Sequence, residues 1–215
     1  MRDAFHEELD AINETLADLS KRVQKAMEQA THALLTADLA LAEQVIAEDN
    51  QIDEIQHALD AQTIDLMARQ QPVASDLRAL VVSLRMSADL ERMGDLADHI
   101  AKVARLRHPN NAIPSDLVLA FTEMGHVAEK LSTKVATVIT TRDTDMALQV
   151  EKDDDEMDEL HKKVIIGITN GGGAISIESA IDLTLLGRYY ERFADHAVAV
   201  ARRVYFLVKG EFPQS

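Results

Sequence analysis

Four pairs of acidic side chains offer the clearest chemistry in this sequence. In each pair the two acids are four residues apart, so on a helix they stand one above the other on a single face. The pairs are Asp49/Asp53, Glu91/Asp95, Asp154/Asp158 and Glu191/Asp195. Like charges in this arrangement cost roughly 0.2–0.5 kcal/mol per pair unless a cation neutralises them. Two pairs facing each other on adjacent helices would offer enough oxygens for a hard cation such as Mg²⁺, Mn²⁺, Ca²⁺ or iron.

A plainer interpretation stays open, because the chain holds 37 acidic residues and most such pairs lie on solvated helix faces. Arg92 and Arg192 could form surface ion pairs with the acids three residues further on, and such pairs contribute little to stability. The cation site is favoured by recurrence, since both kinds of pair appear at matching places in the two halves. The pairs also border apolar stripes that a neighbouring helix can reach.

Other candidate ligands are weaker. They are Asp98, His99, His196 and the Glu-x-x-His pairs Glu54/His57 and Glu123/His126. Asp98 extends the first acidic ladder, but its counterpart is Val198, so we treat it as peripheral. The two histidines do not match each other. The Glu-x-x-His spacing is typical of carboxylate di-iron bundles, but neither pair has a counterpart in the other half, so coincidence explains them better.

Composition excludes several classes of function. The net charge of −15 would repel phosphate backbones, so we expect no nucleic-acid binding. The absence of cysteine excludes disulfides, thiolate metal sites and a cysteine nucleophile. No stretch approaches the ~18 apolar residues of a membrane span, and the N-terminus does not resemble a signal peptide. We therefore expect a soluble, cytoplasmic protein that reaches a membrane only through a partner.

Few residues in the sequence break helices, and this favours an all-α fold. Proline and glycine number 4 and 8 among 215 residues, and 47% of the chain is hydrophobic, which suffices for a core. The breaks predict six long helices, roughly 2–36, 38–70, 75–107, 115–140, 144–168 and 176–209. Ser75, Ser115 and Ser176 are expected to cap three of them. The triple glycine at 171–173 is most simply a flexible connection.

The third and sixth segments repeat each other at an offset of one hundred residues. Apolar residues at helical spacing form the two stripes Met86, Leu90, Met93, Ala97, Ile100, Ala104 and Leu186, Tyr190, Phe193, Ala197, Val200, Val204. The second and fifth segments match in the same way around Asp49 and Asp154. We therefore predict an elongated molecule of two tandem, pseudo-symmetric three-helix bundles, spanning 1–108 and 112–215.

Several motifs resemble those of the PhoU family of phosphate-transport regulators, along nearly the whole chain. They are RQQPVASDLR at 69–78, DLERMGDLAD at 89–98, YYERFADHA at 189–197 and YFLVKG at 205–210. The resemblance implies two three-helix bundles, each with an E(D)xxxD motif that holds multinuclear iron or other metal clusters in several members. The motif falls on Glu91/Asp95 and Glu191/Asp195, with Asp49/Asp53 and Asp154/Asp158 as partner acids. The second motif departs from the common form at Phe193 and Ala194, which puts the identity of its metal in doubt.

The resemblance also implies a function. Family members repress the phosphate-starvation response and are thought to link the ATPase of the phosphate ABC transporter to a sensor histidine kinase. We accordingly expect a regulator rather than an enzyme: an adaptor that binds iron, Mn, Mg, Zn or Ca, forms homodimers, and lies at the inner membrane only through the transporter. Two alternatives stay open, namely a carboxylate-bridged metalloenzyme or iron-storage bundle, and a purely structural helical protein whose acids stay solvated.

Overall fold

The protein is all-α, as predicted. A computed structural model describes residues 2–170 and 175–213, and these contain no strand. Their six helices are α1 (Arg2–Thr36), α2 (Leu39–Gln70), α3 (Ala74–Arg107), α4 (Val118–Thr141), α5 (Thr144–Asn170) and α6 (Ile177–Lys209). Gly171, Gly172 and Gly173, which we interpret as a flexible connection, lie outside the described residues.

Of the three predicted serine caps, only one is correct. Ser176 accepts a hydrogen bond from the backbone N–H of Ser179 at 3.1 Å and so caps α6. Ser75 lies inside α3, one residue after its start. Ser115 is displaced from the start of α4 because a turn closes first, with the N–H of Leu117 bonded to the carbonyl of Pro114 at 3.0 Å. Its hydroxyl donates to the Asp116 carboxylate instead.

The helices form two three-helix bundles, as the repeat predicts. Helices α1, α2 and α3 pack on one another, and so do α4, α5 and α6. Both apolar stripes of the repeat are buried, with no member more than 5% exposed. This burial is the expected driving force, because each stripe removes apolar surface from water along the length of its helix.

The two bundles share one hydrophobic core, because α3 packs against α6 and α1 against α4. Tyr190 is fully buried at this junction, where its hydroxyl lies 2.8 Å from that of Thr31 and its ring lies 6.1 Å from that of Phe121. Our division of the chain into 1–108 and 112–215 stays a prediction.

Helices α3 and α6 run antiparallel, and ion pairs that involve the buried acids Asp89 and Asp182 lie at the two ends of their contact. At one end Asp89 of α3 accepts hydrogen bonds from Arg203 at 2.6 Å and from the His196 ring at 3.1 Å. At the other end Arg107 pairs with Asp182 and Glu178 of α6. In the described part of the chain, no helix is long and apolar enough to cross a membrane.

Candidate metal centre

Antiparallel packing of α2 and α3 brings the first two acidic pairs face to face. We call Asp49, Asp53, Glu91 and Asp95 the first acidic cluster. Three of these residues, Asp49, Asp53 and Asp95, each offer an oxygen, and the three oxygens lie within 4.8 Å of one another. Glu91 is outside this group of three. All four side chains are half-buried, so a cation there would lie at the surface, partly shielded from water.

Repulsion inside the first acidic cluster is visible in its acid–base properties. The pKa of Asp49 is raised from 3.8 to about 6, first by burial and then by the charges of Asp98, Asp53 and Asp95. The pKa of Glu91 is also raised, first by burial and then by Asp95. A bound cation would remove this cost, because it would hold the carboxylates in their charged form.

A glycine allows this close approach of the two helices. A Cβ atom added to Gly94 on α3 would lie 3.1 Å from two carbon atoms of Ile52 on α2, and 3.6 Å from an Asp49 oxygen. The two contacts at 3.1 Å are tighter than most contacts of a real Cβ, so the Ile52 side chain would have to shift to admit a larger residue at this position. The small cavity beside Asp49 has a volume of about 50 Å³.

The second half has acidic pairs at the equivalent positions, but two of their side chains are more exposed to solvent. We call Asp154, Asp158, Glu191 and Asp195 the second acidic cluster. Asp158 and Asp195 are exposed, while the other two are half-buried. The pKa of Asp154 is raised from 3.8 to about 7, first by burial, then by Asp158 and Asp195.

The second acidic cluster is also more open to solvent than the first. Asp154 and Asp195 line a cleft of about 610 Å³. Among the described residues, only the three acids of the first half bring their oxygens within 4.8 Å of one another. The repeat in sequence therefore does not produce two equally tight groups of ligands.

Surface ion pairs accompany both clusters. Arg92 pairs with Asp95 at 2.7 Å, as the plainer interpretation predicts. The equivalent Arg192 forms no ion pair in the described part of the chain, and in the second half Arg188 pairs with Glu191 instead. Because Arg92 is largely exposed, a cation could displace it at small cost.

The histidines near the clusters have other partners. His99 packs against Tyr189 with ring centroids 5.2 Å apart, and His196 bonds to Asp89. Within the residues that the structure describes, no histidine joins the group of three acids. Neither Glu-x-x-His pair joins that group, although the charge of His57 acts on Glu91.

Comparisons with known proteins agree with this architecture and decide the family. The PhoU domain model matches residues 16–104 and 121–204, which together make up most of the chain. The chain belongs to the PhoU family. A Mycobacterium tuberculosis protein named phosphate-specific transport system accessory protein PhoU homolog 2 is 45% identical, over 99% of this chain and 100% of its own length. PhoU homolog 1 of Mycobacterium leprae is also 45% identical, over 100% of this chain and 96% of its own.

A solved structure is similar along nearly the whole chain. The crystal structure of PhoU from Pseudomonas aeruginosa superimposes with a TM-score of 0.88 at 28% sequence identity, covering 96% of this chain and 100% of that one. Each acidic cluster lies within one of the two segments that the PhoU domain model matches. The clusters therefore belong to the repeated PhoU unit.

The PhoU domains of this chain fit a hard cation by two observations. The donors are carboxylates, the ligands that Mg²⁺, Mn²⁺, Ca²⁺ and iron prefer. Several oxygens are buried without a hydrogen-bond partner, namely Asp53 Oδ1 and Asp98 Oδ1 in the first PhoU domain and Glu191 Oε2 in the second. A buried oxygen without a partner is costly, and a metal ion would satisfy it.

Sequence reasoning misplaced Asp98. We expect it to be peripheral, but its residue is only 3% exposed and its charge is the largest electrostatic contribution to the raised pKa of Asp49. The misjudgement came from the missing counterpart in the second half. The helical spacing pointed the other way, since Asp98 lies three residues after Asp95 and so continues the same face of α3.

Proposed function

We propose that this chain is a negative regulator of phosphate uptake and of the phosphate-starvation response. In this proposal it is a metal-binding adaptor between the ATPase of the phosphate ABC transporter and a sensor histidine kinase. The observation that carries the proposal is the match of two PhoU domains to relatives named as phosphate-specific transport accessory proteins. The metal would be iron, Mn, Mg, Zn or Ca, held by the two acidic clusters.

The first acidic cluster supports regulation better than catalysis. Its three closest oxygens come from α2 and α3 alone, at the half-exposed surface of one bundle. Carboxylate di-iron enzymes take their ligands from four helices around a buried core. A cation between α2 and α3 would instead join two neighbouring helices and so hold them in a fixed arrangement.

Exposed apolar side chains supply candidate docking surfaces. On α3 the exposed residues Leu77 and Val81 are four apart, with exposed Val73 just before the helix, and on α6 Ile177, Ile181 and Leu185 follow one another at intervals of four. Residues at this spacing lie on one helix face. Apolar residues grouped in this way on a surface mark sites of protein interaction. The transporter ATPase, the kinase and a second copy of this chain are the proposed occupants.

The proposed location follows from these partners. The chain would lie in the cytoplasm and reach the inner membrane through the transporter. The net charge of −15 favours basic partner surfaces and opposes binding to nucleic acid.

Affinity capture of the tagged full-length chain from its own organism tests the adaptor role. We expect the transporter ATPase and a sensor kinase to co-purify. The double variants Leu77→Asp/Val81→Asp and Ile177→Asp/Ile181→Asp place charges on the two exposed apolar faces, and at least one should lose a partner. Thr140→Asp, at an exposed position on α4, is the control and should lose neither.

Two results would contradict the proposal. One is the reproducible absence of the ATPase from captures made under gentle conditions. The other is a deletion strain whose phosphate-starvation genes stay repressed when phosphate is plentiful, because loss of a negative regulator should release them.

A further inference from the structure

A fifth acidic residue accompanies each cluster, but it lies on opposite helices in the two halves. One helical turn beyond Asp49 and Asp95, α2 carries Ile46 and α3 carries Asp98. At the equivalent positions of the second half, α5 carries Glu151 and α6 carries Val198. The acid and the apolar residue have therefore exchanged helices. One turn further along, α3 carries Lys102 and α6 carries Arg202 at matching positions.

In the first half, the fifth acid is buried beside the cluster. The Asp98 side chain is 4% exposed, and its Oδ2 forms an ion pair with the ammonium of Lys102. Its other oxygen, Oδ1, is buried without a hydrogen-bond partner. Asp98 is outside the group of three close oxygens, but it lies three residues after Asp95 on the same face of α3, and its charge is the largest electrostatic contribution to the raised pKa of Asp49.

Lys102 can leave its ion pair with Asp98 easily. Its side chain is 47% exposed, on a flexible four-carbon stem that can turn the ammonium into water. The charge of Lys102 acts on Asp49 with the sign opposite to that of the acids. The ammonium therefore partly neutralises the acidic side chains, as a bound metal ion would.

In the second half, the fifth acid is engaged differently. Arg202 binds both oxygens of Glu151, with Nε at 3.2 Å from one of them. The Glu151 side chain is 34% exposed and lines the open cleft. Because the Arg202 guanidinium donates to both carboxylate oxygens, neither oxygen of Glu151 is buried without a partner, as Oδ1 of Asp98 is.

We propose that Asp98 is a further ligand of the cation in the first acidic cluster, and that Lys102 is an internal counter-ion that competes with the metal for it. This inference rests on the proposed metal-binding function. It is carried by the buried Oδ1 of Asp98, which has no hydrogen-bond partner and belongs to a side chain on the same face of α3 as Asp95. When a cation binds, Asp98 turns its charge to the metal and Lys102 moves into solvent. The second half lacks this competition between a lysine and a metal ion, because Val198 is at the position equivalent to Asp98.

Calorimetric titration with Mn²⁺ tests the proposal in a parent protein that carries Glu191→Ala and Asp195→Ala, so that only the first acidic cluster is measured. Asp98→Asn should weaken Mn²⁺ binding by about tenfold or more, the usual effect of losing a ligand or its close support. Lys102→Gln should tighten it by roughly threefold to tenfold, because the competing charge is gone. Lys162→Gln, which removes an exposed lysine paired with Glu159, is the matched control.

A double-mutant cycle separates ligation from general electrostatics. If Lys102 acts through Asp98, the gain from Lys102→Gln disappears when Asp98→Asn is already present. A gain that persists there, or an Asp98→Asn variant that binds within about twofold of the parent, overturns the inference. Should Asp98→Asn fail to fold, an unchanged affinity in Lys102→Gln overturns it alone. A parent that binds no Mn²⁺ overturns the proposed metal-binding function itself.

Discussion

The two halves of this molecule share a helix order, a motif and acidic pairs at equivalent positions, yet the acidic side chains lie close together in only one of them. In the first half, three carboxylate oxygens lie within 4.8 Å of one another. In the second half, Asp158 and Asp195 are exposed, and Asp195 lines an open cleft. The residue between the motif acids differs, since Gly94 of the first half corresponds to Ala194, which is fully buried. This methyl group is one difference in packing between the two halves beside their acidic clusters.

A difference in packing of this kind has a functional consequence. A cation site needs its oxygens close together before the ion arrives, because each ligand that must move adds to the free-energy cost of binding. The first acidic cluster is already in that state, while the second would have to draw exposed side chains inward. We therefore expect the halves to bind cations with different affinities.

The largest expected effect comes from deleting one motif at a time. Glu91→Ala/Asp95→Ala should abolish cation-induced stabilisation of the first half and leave the metal-free fold intact, because neither side chain belongs to the core. A ligand at one hundred times its Kd stabilises a protein by about 2.7 kcal/mol, so the loss is readily measured by thermal unfolding with and without Mn²⁺. Glu191→Ala/Asp195→Ala should lose less.

The comparison between the halves would be broken by equal losses in the two variants. If the Glu91→Ala/Asp95→Ala variant keeps the full stabilisation, the assignment of the first site is wrong. If no divalent or ferric ion raises the melting temperature of the wild-type protein, the acids are solvated and the structural alternative is correct.

A smaller effect is the pH dependence of the free energy of unfolding in the metal-free protein, which should differ between the two halves. The folded state raises the pKa of Asp154 from 3.8 to about 7, so it binds this proton more tightly than the unfolded state. Stability is therefore lost as the pH rises across that interval. Asp154→Asn resembles the protonated form and should be more stable than wild type above this interval, by on the order of 1 to 2 kcal/mol for a half-buried group.

The measurement for this prediction is the free energy of unfolding by urea at several pH values, with a chelator present. The advantage of Asp154→Asn should vanish once the pH is below 3.8. Asp49→Asn should behave in the same way, with its interval ending at about 6. Exposed Glu43→Gln serves as a control, and an advantage of Asp154→Asn that is independent of pH would contradict the prediction.

The smallest expected effect tests the glycine contact. Gly94→Ala adds a methyl group against Ile52 and should reduce the cation-induced stabilisation by about 1 kcal/mol, because Ile52 must shift beside the cluster. Stability without metal should change by less than about 1 kcal/mol, because the better helix propensity of alanine offsets the crowding.

Gly125→Ala is the matched control for that contact. Its added Cβ would lie 2.5 Å from Thr31 Cγ2, between α4 and α1 and outside both clusters. It should destabilise the protein while leaving the cation-induced stabilisation unchanged. If both alanine variants change the response to the cation equally, the close approach at Gly94 has no special part in the site.

Much of the fold could be predicted, because helix breaks and apolar periodicity are local signals. The six segments lie within a few residues of the observed helices, and every residue of the two apolar stripes is buried. The failures at Ser75 and Ser115 are also instructive. Both are good capping residues in isolation, but the chain enters each helix by another path. Val73 occupies the N-cap position of α3 and, like Leu77, is exposed. Leu117 occupies the N-cap position of α4.

The candidate site could be predicted only in part. Spacing placed the acids on shared faces, and the repeat indicated which pairs would meet. The burial of Asp98 was misjudged, because comparison with Val198 suggested an unimportant position when the two halves in fact differ there. Its counter-ion Lys102 carried no signal, since an isolated lysine on a helix is usually solvated.

The sequence by itself determined the helices, their internal repeat and the faces on which the acids stand, because these depend on residues within a few positions of one another. Only the tertiary structure decided which carboxylates converge, since that distance depends on how the side chains of two helices pack against each other. Burial of Asp98 and the pairing of Asp89 with Arg203 across the halves were decided in the same way. Contacts between distant segments depend on the packing of the whole core, and no local pattern records them.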